Sequence, residues 1–476
     1  MNNVDIFFIE PPVYKNNSGE RPDKLEGNLP QLGVCSLAAV AERDGYKAAI
    51  LDAAALQYSL KEVLEEVRAY NPRYVGITSM THTISSAALF AGLIKERFPD
   101  IKILLGGVHI TAATEETLMR YPGFFDVCVI GEGETTFSEL LRTLDEGGDL
   151  ATVDGLAFIQ DGKVIKTNPR KIIKDMDSLP MPAWHLLPDM TKYYGTTLIS
   201  AGNKASNHLL TSRGCPGRCT FCDTSVHGNM VRGYSADYVM DMIEILHKKY
   251  KVEDIQFNDD TFVTLRKRLS EICERLITKK YNLSWSCDAR ARDVTKEGLN
   301  LMKAAGCWQI AFGVETGSQR ILDSMKKNTT FEHIHNAFKW AKKAGISTKG
   351  FFIIGHPSET IESVKETVDL MLSLDIDVVG LTFYTVFPGS PIFATISNYG
   401  KFNPDWDKTN TYEIGNFIPH GFTAEQLVHL RKQSLTKFYF RPKFIVKQLA
   451  NIKKPYDLYR LAAGGLKVFS KNVLNS

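Results

Sequence analysis

Three cysteines in one short segment constrain this chain more than any other feature of its sequence. They are Cys215, Cys219 and Cys222, spaced as CxxxCxxC. Three thiolates can hold a four-iron cluster and leave one iron without a protein ligand, whereas ferredoxin-type carriers close their clusters with a fourth cysteine. A structural zinc site also needs four ligands. The spacing therefore predicts an iron-sulfur cluster with one iron open to chemistry, with a zinc knuckle as the alternative.

The remaining cysteines stand singly, with no second CxxC pair to join them: Cys35, Cys128, Cys273, Cys287 and Cys307. We interpret them as ordinary buried thiols in a reducing compartment rather than as a disulfide framework. The N-terminal segment lacks a basic region, and Asp5 and Glu10 bracket its early apolar run. We therefore expect no signal peptide, no transmembrane span and a cytoplasmic location.

The length of 476 residues predicts two or three domains. We assign a first domain to residues 1–146, a linker with a hairpin to 147–199, a second domain to 200–395 and a helical basic region to 396–476. The net charge is only +3, but from Arg431 to the end eleven Lys or Arg residues face a single acid, Asp457. This basic region predicts either a solvated face on helices that cap the second domain or a peripheral membrane platform.

The first domain alternates short apolar runs with amphipathic stretches. Five runs predict buried parallel strands, at 4–9, 47–51, 74–78, 101–105 and 127–130. The pattern indicates a doubly wound, Rossmann-like α/β domain, whose ligands sit at the carboxyl ends of the strands. A hydroxyl and four glycines that let a ligand approach the backbone follow these strands: Ser79, Gly106, Gly107, Gly131 and Gly133.

The second domain repeats the alternation of strand and helix. Six strands are predicted, at 208–211, 254–257, 283–287, 308–312, 349–354 and 378–382. Six βα units are too few to close an eight-stranded barrel, so we expect a partial barrel. In barrels the chemistry collects after the strands, and polar residues follow the strands here: the three cysteines, Asn258, Asp259, Asp260, Asp288, Arg290 and Glu315.

The order of these features resembles the cobalamin-binding branch of the radical S-adenosylmethionine (SAM) superfamily. The resemblance rests on the cysteine triplet together with Pro30–Gly33, Gly106–Thr111, Gly131–Glu134, Leu179–Trp184 and Gly313–Gly317, and it covers nearly the whole chain. It implies that a reduced 4Fe-4S cluster sends an electron into the SAM sulfonium and releases a 5′-deoxyadenosyl radical. The cofactors carry the difficult step, and the protein positions them.

The resemblance also implies site residues. It assigns Cys215, Cys219 and Cys222 to iron and Phe221 to packing near the adenine. Asn258, Asp259 and Asp260 stand where the superfamily more often has a Gly-Gly-Glu stretch that receives the SAM amino group, with a helix cap as the alternative. Arg290 is expected to pair with the SAM carboxylate, and Glu315 with the ribose hydroxyls.

The first domain departs from one well-known cobalamin pattern. Methionine-synthase-like domains use Asp-x-His-x-x-Gly to place an imidazole on cobalt, whereas the compared segment here is Asp52–Leu56, with Ala54 in the histidine position. Alanine cannot ligate a metal. The resemblance therefore implies cobalamin bound without a protein histidine, and a folded but empty domain is the alternative. His82 and His109 lie near the same edge and are more simply interpreted as structural residues.

The leading hypothesis is a cobalamin-dependent radical SAM enzyme that methylates an unactivated carbon of a small natural-product or lipid intermediate. The alternatives are a non-methylating oxidative cyclase, rearrangement or deoxygenation enzyme, and a cobalamin or metal sensor. We expect a small-molecule substrate and a reductant such as flavodoxin or ferredoxin. A nucleic-acid partner is not expected, because the appended RNA-binding barrel and upstream cysteine trio of tRNA methylthiotransferases are missing from the sequence.

Overall fold

The structure is a computed structural model that describes residues 3–11, 29–195, 205–442 and 444–446. The strands are β1 (Ile6–Glu10), β2 (Ala48–Asp52), β3 (Tyr74–Thr78), β4 (Lys102–Gly106), β5 (Val127–Val129), β6 (Leu156–Gln160), β7 (Lys163–Lys166), β8 (Ser206–Leu209), β9 (Ser212–Arg213), β10 (Arg232–Gly233), β11 (Asp254–Phe257), β12 (Ser284–Ala289), β13 (Cys307–Glu315), β14 (Ser347–Ile354), β15 (Val378–Phe383), β16 (Gly400–Phe402) and β17 (Phe417–Pro419).

The α-helices of the described residues are α1 (Leu32–Arg43), α2 (Ala53–Leu56), α3 (Leu60–Tyr70), α4 (Ile84–Arg97), α5 (Val108–Ala112), α6 (Thr114–Arg120), α7 (Gly133–Glu146), α8 (Met190–Tyr193), α9 (Ala236–Lys248), α10 (Arg266–Lys279), α11 (Lys296–Ala304), α12 (Gln319–Ser324), α13 (Phe331–Lys343), α14 (Ile361–Ser373) and α15 (Ala424–Tyr439). None of these helices is both long enough and apolar enough to cross a bilayer.

The first domain is a doubly wound sheet, as predicted. Its strand order is β2-β1-β3-β4-β5-β6-β7, and the first five strands are parallel. Two apolar cores cover the two faces, one built with α3 and α4 and the other with α1 and α7. Strand β2 lies on one side of β1, whereas β3 and the strands after it lie on the other side. The topological switch point is therefore between β1 and β3, and the ligand crevice is expected at the carboxyl ends of these two strands.

The hairpin predicted for the linker is part of the first sheet. Its strands β6 and β7 pair with each other, and β6 pairs antiparallel with β5 through Cys128 and Ala157. The assigned linker at 147–199 therefore begins with two strands of the first domain. Its Pro-rich segment is also packed rather than free, because Leu179 and Trp184 are buried in the core of the second domain.

The second domain is the partial barrel that the sequence predicts. Six parallel strands lie in the order β15-β14-β13-β12-β11-β8, and the helices between them cover the outer face. Strand β12 shows why: Trp285, Cys287 and Ala289 are buried in the outer core, whereas Ser286 and Asp288 alternate with them on the inner face. The sheet stays open between β8 and β15.

The C-terminal part is helical where it is described, with one unexpected element. Helix α15 packs on the barrel through Leu435 and Phe438. A short antiparallel pair, β16 with β17, precedes it and was not predicted. Between these strands Trp406 reaches back to the first domain, where its ring lies 4.4 Å from that of His109. Most of the basic tail lies outside the described residues.

Candidate active site

The three predicted cluster cysteines lie on one irregular loop between β9 and β10. Cys215 and Cys219 are half-buried, Cys222 is exposed, and all three are free thiols. The Gly217 N–H donates to Cys215 Sγ at 3.4 Å. A Cβ on Gly217 would lie 3.3 Å from Cys215 Sγ and 3.8 Å from Cys219 Sγ. Gly217 therefore keeps the space beside these two sulfurs open.

The donor set of the loop is what fits an iron-sulfur cluster. Iron-sulfur clusters are held by cysteine thiolates, and the loop brings three free cysteines together in one segment. A structural zinc site needs four ligands. The assignment of the three cysteines to iron stays a prediction.

A lysine that the sequence analysis did not single out lies beside the cysteine loop. The Lys327 side chain is only 12% exposed and forms an ion pair with Glu315. Its ammonium lies 5.9 Å from the centre of the Phe221 ring. Burial raises the pKa of Cys219, and the Lys327 charge opposes that rise. Because iron binds thiolates rather than thiols, this cation favours the ligating form.

Glu315 ends strand β13 in a conformation that costs energy. Its φ is +69°, in the left-handed region that residues other than glycine seldom adopt. Gly313 makes the arrangement possible, since a Cβ there would lie 2.5 Å from Glu315 Oε1 and 2.8 Å from Lys327 Nζ. The Glu315 carboxylate is thus held beside the cysteine loop, and its predicted contact with the SAM ribose stays a prediction.

Asp259 supports the protein rather than facing a ligand. Its side chain is buried and accepts hydrogen bonds from Thr211 N at 2.6 Å, Thr211 Oγ1 at 2.7 Å and Ser212 Oγ. The Arg268 guanidinium lies 3.4 Å from the same carboxylate. These contacts anchor the strand that leads into the cysteine loop. They leave the carboxylate no free side for the SAM amino group, in contrast to the sequence-based assignment.

Asn258 and Asp260 also contact the protein itself. Asp260 accepts the Gly214 N–H at 3.0 Å and so fixes the residue before Cys215, while its exposed side chain keeps capacity for a ligand. The Asn258 amide lies 2.7 Å from His208 Nδ1, and His208 Nε2 lies 2.5 Å from the Pro30 carbonyl. Of the three predicted residues, Asp260 is therefore the one whose side chain is exposed, and its contact with SAM stays a prediction.

Arg290 and Phe221 border the same loop. The Arg290 charge lowers the pKa of Cys219 against the larger effect of burial. Its ion partner Asp293 is 3.7 Å away, which leaves donors for an anion. The Phe221 ring packs edge-on to Tyr384 at 6.5 Å. The predicted contacts of Arg290 and Phe221 with SAM stay predictions.

A buried ion-pair network joins the two domains directly behind the cysteine loop. Arg213 lies two residues before Cys215 and contacts Glu134, and Arg232 contacts Glu132 at 2.9 Å. Burial alone would raise the pKa of Glu134, but the Arg213 charge and the hydrogen bonds from Arg213 and Ser36 together outweigh it and hold the pKa below its usual value. The loop 131–134, predicted to touch cobalamin, thus also fixes the position of the cluster loop.

The predicted cobalamin glycines differ in what surrounds them. A Cβ at Gly106 or Gly131 would have no atom within 4 Å, as expected beside a large ligand. At Gly107, with φ +110°, a Cβ would lie 2.5 Å from the Ser79 carbonyl oxygen, and at Gly133 it would lie 3.2 Å from Leu37. Gly107 is therefore required by the protein's own backbone, and Gly133 only abuts a leucine side chain. Gly106 and Gly131 leave open space for a ligand, although the φ of +77° at Gly131 also favours glycine there.

Ser79 is part of the same packing. It is buried, its N–H donates to the Gly106 carbonyl at 2.9 Å, and its own carbonyl accepts the His109 N–H at 3.2 Å. Its hydroxyl also donates to Gly106 O at 3.2 Å. Ser79 therefore shapes the crevice between β3 and β4 and keeps little hydrogen-bonding capacity for cobalamin.

The two histidines near this edge, His109 and His82, differ in how far their imidazoles are exposed. His109 is completely buried, with ring nitrogens 3.3 Å from Thr81 Oγ1 and 3.0 Å from Thr117 Oγ1. His82 is exposed after β3. The Asp52–Leu56 segment follows β2, the outer strand next to β1, and Asp52 itself caps α2 and accepts the Tyr194 hydroxyl at 2.8 Å. That segment lies one strand away from the switch point, so its comparison with an axial-ligand loop is weakened.

Comparisons with known proteins agree with this architecture. The B12 binding domain model matches residues 23–141, and the Radical SAM superfamily model matches residues 209–371. An uncharacterized methyltransferase of Pyrococcus horikoshii is 34% identical over 88% of this chain and 90% of its own length. The chain belongs to the cobalamin-binding branch of the radical SAM superfamily. It is a radical SAM enzyme with a cobalamin-binding domain.

Other members of this branch extend the likeness. The anaerobic magnesium-protoporphyrin IX monomethyl ester cyclase of Rubrivivax gelatinosus is 30% identical over 98% of this chain and 82% of its own length. The radical SAM methyltransferase TsrM from Kitasatospora setae, solved with cobalamin and a 4Fe-4S cluster, matches 92% of this chain and 89% of its own with a TM-score of 0.72 and 17% identity. The cobalamin-dependent radical SAM enzyme OxsB matches 97% of this chain and 70% of its own, with a TM-score of 0.76 and 18% identity. These two structures support the fold.

Proposed function

We propose that this radical SAM enzyme cleaves SAM reductively at a 4Fe-4S cluster and, with cobalamin, methylates an unactivated carbon of a small molecule. The observation that carries the proposal is that the cysteine loop is held against the loop at 131–134. That loop lies on the edge of the first sheet where cobalamin is expected, which we call the cobalamin edge. Both loops are fixed to one buried ion-pair network through Arg213 and Glu134. Radical formation and methyl transfer need such fixed geometry, because small misplacements cost orders of magnitude in rate.

The chain's residues have separable tasks in this proposal. Cys215, Cys219 and Cys222 would hold the cluster, which in its reduced state would supply the electron for SAM cleavage. Asp260 and Arg290 receive the SAM amino and carboxylate groups, and Glu315 the ribose. Lys327 holds the Glu315 carboxylate in place through their ion pair. Gly106 and Gly131 leave the surface against which cobalamin lies.

A second function remains supported by one specific finding. The Rubrivivax gelatinosus relative is named a cyclase, not a methyltransferase. In a cyclase-like reaction the same radical would end in oxidation and ring formation without methyl transfer. The reductant in either case is proposed to be a flavodoxin or ferredoxin, and the substrate a small molecule.

The proposal is tested by SAM cleavage in anaerobically reconstituted protein. We expect broad absorption near ~400 nm, typical of an iron-sulfur cluster, and 5′-deoxyadenosine after reduction with dithionite. Cys219→Ala should lose both. Cys273→Ala, which removes a buried thiol on α10 far from the loop, should keep both. Deoxyadenosine formation by Cys219→Ala, or its absence from the wild type, would overturn the assignment.

A further inference from the structure

The inner face of the barrel sheet is polar, although parallel sheets are ordinarily apolar on both faces. Five half-buried polar residues stand side by side in one register row across five strands: His208, Gln256, Ser286, Gln309 and Ser347. We call these residues the polar belt. Most of their neighbours along the strands are buried in the outer core, among them Ile255, Trp285 and Ile310. The belt therefore lines a chamber inside the barrel rather than a packed interior.

The inner end of this chamber is closed by a tryptophan. Trp308 occupies a bulge in β13, and its Nε1 donates to Asp254 Oδ1 at 3.0 Å. Asp254 lies on the inner face one row below the belt, beside Ser206 and Ser284. The polar face thus ends at Trp308 and Asp254, and in the other direction it runs toward the cysteine loop, where SAM is expected.

The row above the belt carries two opposite charges that do not touch. Asp288 and Lys349 are both in register with Ala311, one on each side. Since neighbouring strands lie ~4.8 Å apart, their backbones are about 10 Å apart, with only the Ala311 methyl between them. Neither side chain has a hydrogen bond or ion pair within the described part of the chain, although each charge acts on the other.

Lys349 is held on the inner face by its neighbours. Its ammonium lies 4.5 Å from the centre of the Phe351 ring. Gly380 makes room for this ring, because a Cβ there would lie 2.9 Å from Phe351 Cδ1. Phe351 pairs with Gly313, two residues before Glu315. Lys349 therefore lies a full layer deeper in the barrel than the residues assigned to SAM.

A half-buried cation without a counter-ion is costly unless something satisfies it. A purely structural pair would place the two groups in contact, whereas here a gap over Ala311 separates them. We propose that the barrel chamber binds a small polar substrate through an anionic oxygen group, a carboxylate or a phosphoryl group, held by the Lys349 ammonium. Calling this ligand the substrate rests on the proposed function, whereas the anion site itself does not.

Asp288 tunes the site. Burial raises the pKa of Asp288 to about 6, and the Lys349 charge opposes this rise. Above that pH the ionised carboxylate repels a neighbouring anion. The other charged or titratable groups along this face are Arg290 one row above, His208 in the belt, whose pKa burial lowers to about 4, and Asp254 at the closed end. With this pKa, His208 stays neutral between pH 5 and 8.

The test measures sulfate binding by calorimetry to the reconstituted enzyme with SAM and cobalamin bound, because sulfate keeps its charge between pH 5 and 8. Lys349→Met should weaken binding about tenfold or more, since a charge-assisted hydrogen bond is lost. Lys349→Arg should stay within about threefold of the wild type. Lys343→Met, which removes an exposed lysine from the outer helix α13, should have no effect.

Competition and pH complete the test. Displacement of sulfate by acetate indicates a carboxylate substrate, and displacement by methyl phosphate indicates a phosphoryl substrate. Displacement by neither contradicts the proposal.

In the wild type, sulfate affinity should fall about three- to tenfold from pH 5 to 8, and Asp288→Asn should remove this fall. Equal sulfate affinity of Lys349→Met and the wild type would overturn the site. If Lys349→Met does not fold, an unchanged pH profile in Asp288→Asn overturns it instead. Binding is measured without turnover, so a failure of SAM cleavage is distinguishable from a failure of this site.

Discussion

At the scale of single residues, Lys327 is the side chain whose effect is easiest to isolate. It pairs with Glu315 and lies close enough to Cys219 to influence that thiol. A fixed positive charge stabilises a reduced, more negative cluster. Lys327→Met should therefore lower the cluster's reduction potential by roughly 50–100 mV, as expected for one unit charge at an intermediate dielectric constant.

The measurement is a redox titration of the cluster followed by electron paramagnetic resonance. Lys326→Met is the matched control, because Lys326 is the preceding residue and is exposed. It should leave the potential within experimental error of the wild type. A potential that is unchanged or higher in Lys327→Met would show that the lysine does not act on the cluster.

Two adjacent glycines provide a second test at this scale. Gly106 has open space at its Cβ position, whereas Gly107 has φ +110° and abuts the Ser79 backbone. Gly106→Val should fold normally but fail to retain hydroxocobalamin after desalting. Gly107→Val should lose about 2–4 kcal/mol of stability through strain and backbone displacement. Thermal unfolding and the cobalamin absorbance of desalted protein distinguish the two. If both variants retain cobalamin equally and unfold at the same temperature, the distinction between an open Gly106 and a tightly packed Gly107 is wrong.

At the scale of elements, the sequence predicts the strands well and the contacts between them poorly. All five parallel strands of the first domain and all six of the barrel lie within a few residues of their predicted positions, because buried parallel strands are continuous apolar runs. The cysteine spacing likewise identifies the cluster loop, since its ligands are local in sequence.

Contacts between distant segments carry no such local signal. Glu134 follows a strand end and so resembled a ligand-loop residue, yet its partner Arg213 lies 79 residues away. Asp259 follows a strand and is therefore predicted as a SAM ligand, but its carboxylate accepts hydrogen bonds from Thr211 and Ser212. Lys327 lies after α12 in a turn, with no strand before it to mark it as part of the site.

The interdomain network makes its own prediction. Glu134→Gln removes the charge that pairs with buried Arg213, so it should destabilise the protein by about 3 kcal/mol and loosen the cysteine loop relative to the cobalamin edge. We expect SAM cleavage to continue while methyl transfer falls, so the ratio of 5′-deoxyadenosine to methylated product rises. Glu146→Gln, at the exposed end of the same helix α7, is the control. If SAM cleavage and methyl transfer slow equally, so that the ratio of 5′-deoxyadenosine to methylated product is unchanged, the network only stabilises the protein.

At the scale of the whole molecule, the two domains face each other across the cobalamin edge. Both ring nitrogens of His109 lie at hydrogen-bonding distance from the hydroxyls of Thr81 and Thr117. The side chain of Ala54 has no atom that can ligate cobalt. We therefore predict that cobalt(II) in the enzyme lacks an axial protein nitrogen. Its electron paramagnetic resonance lines should be unsplit, because an axial nitrogen splits each line into three. Triplet splitting that disappears in His82→Ala would identify the exposed His82 as the ligand and contradict the prediction.

The central claim, cobalamin-dependent methyl transfer by a radical SAM enzyme, is tested most directly by the products formed from SAM. The anaerobic enzyme, loaded with cobalamin and cluster and then reduced, should form both S-adenosylhomocysteine and 5′-deoxyadenosine from methyl-labelled SAM. The two products report different chemistry, since S-adenosylhomocysteine forms only when the methyl group leaves SAM, whereas 5′-deoxyadenosine forms when the bond between sulfur and the adenosyl carbon breaks. We expect one S-adenosylhomocysteine per bound cobalamin before any substrate is added. Formation of 5′-deoxyadenosine alone would contradict the methyltransferase account and favour the cyclase-like reaction.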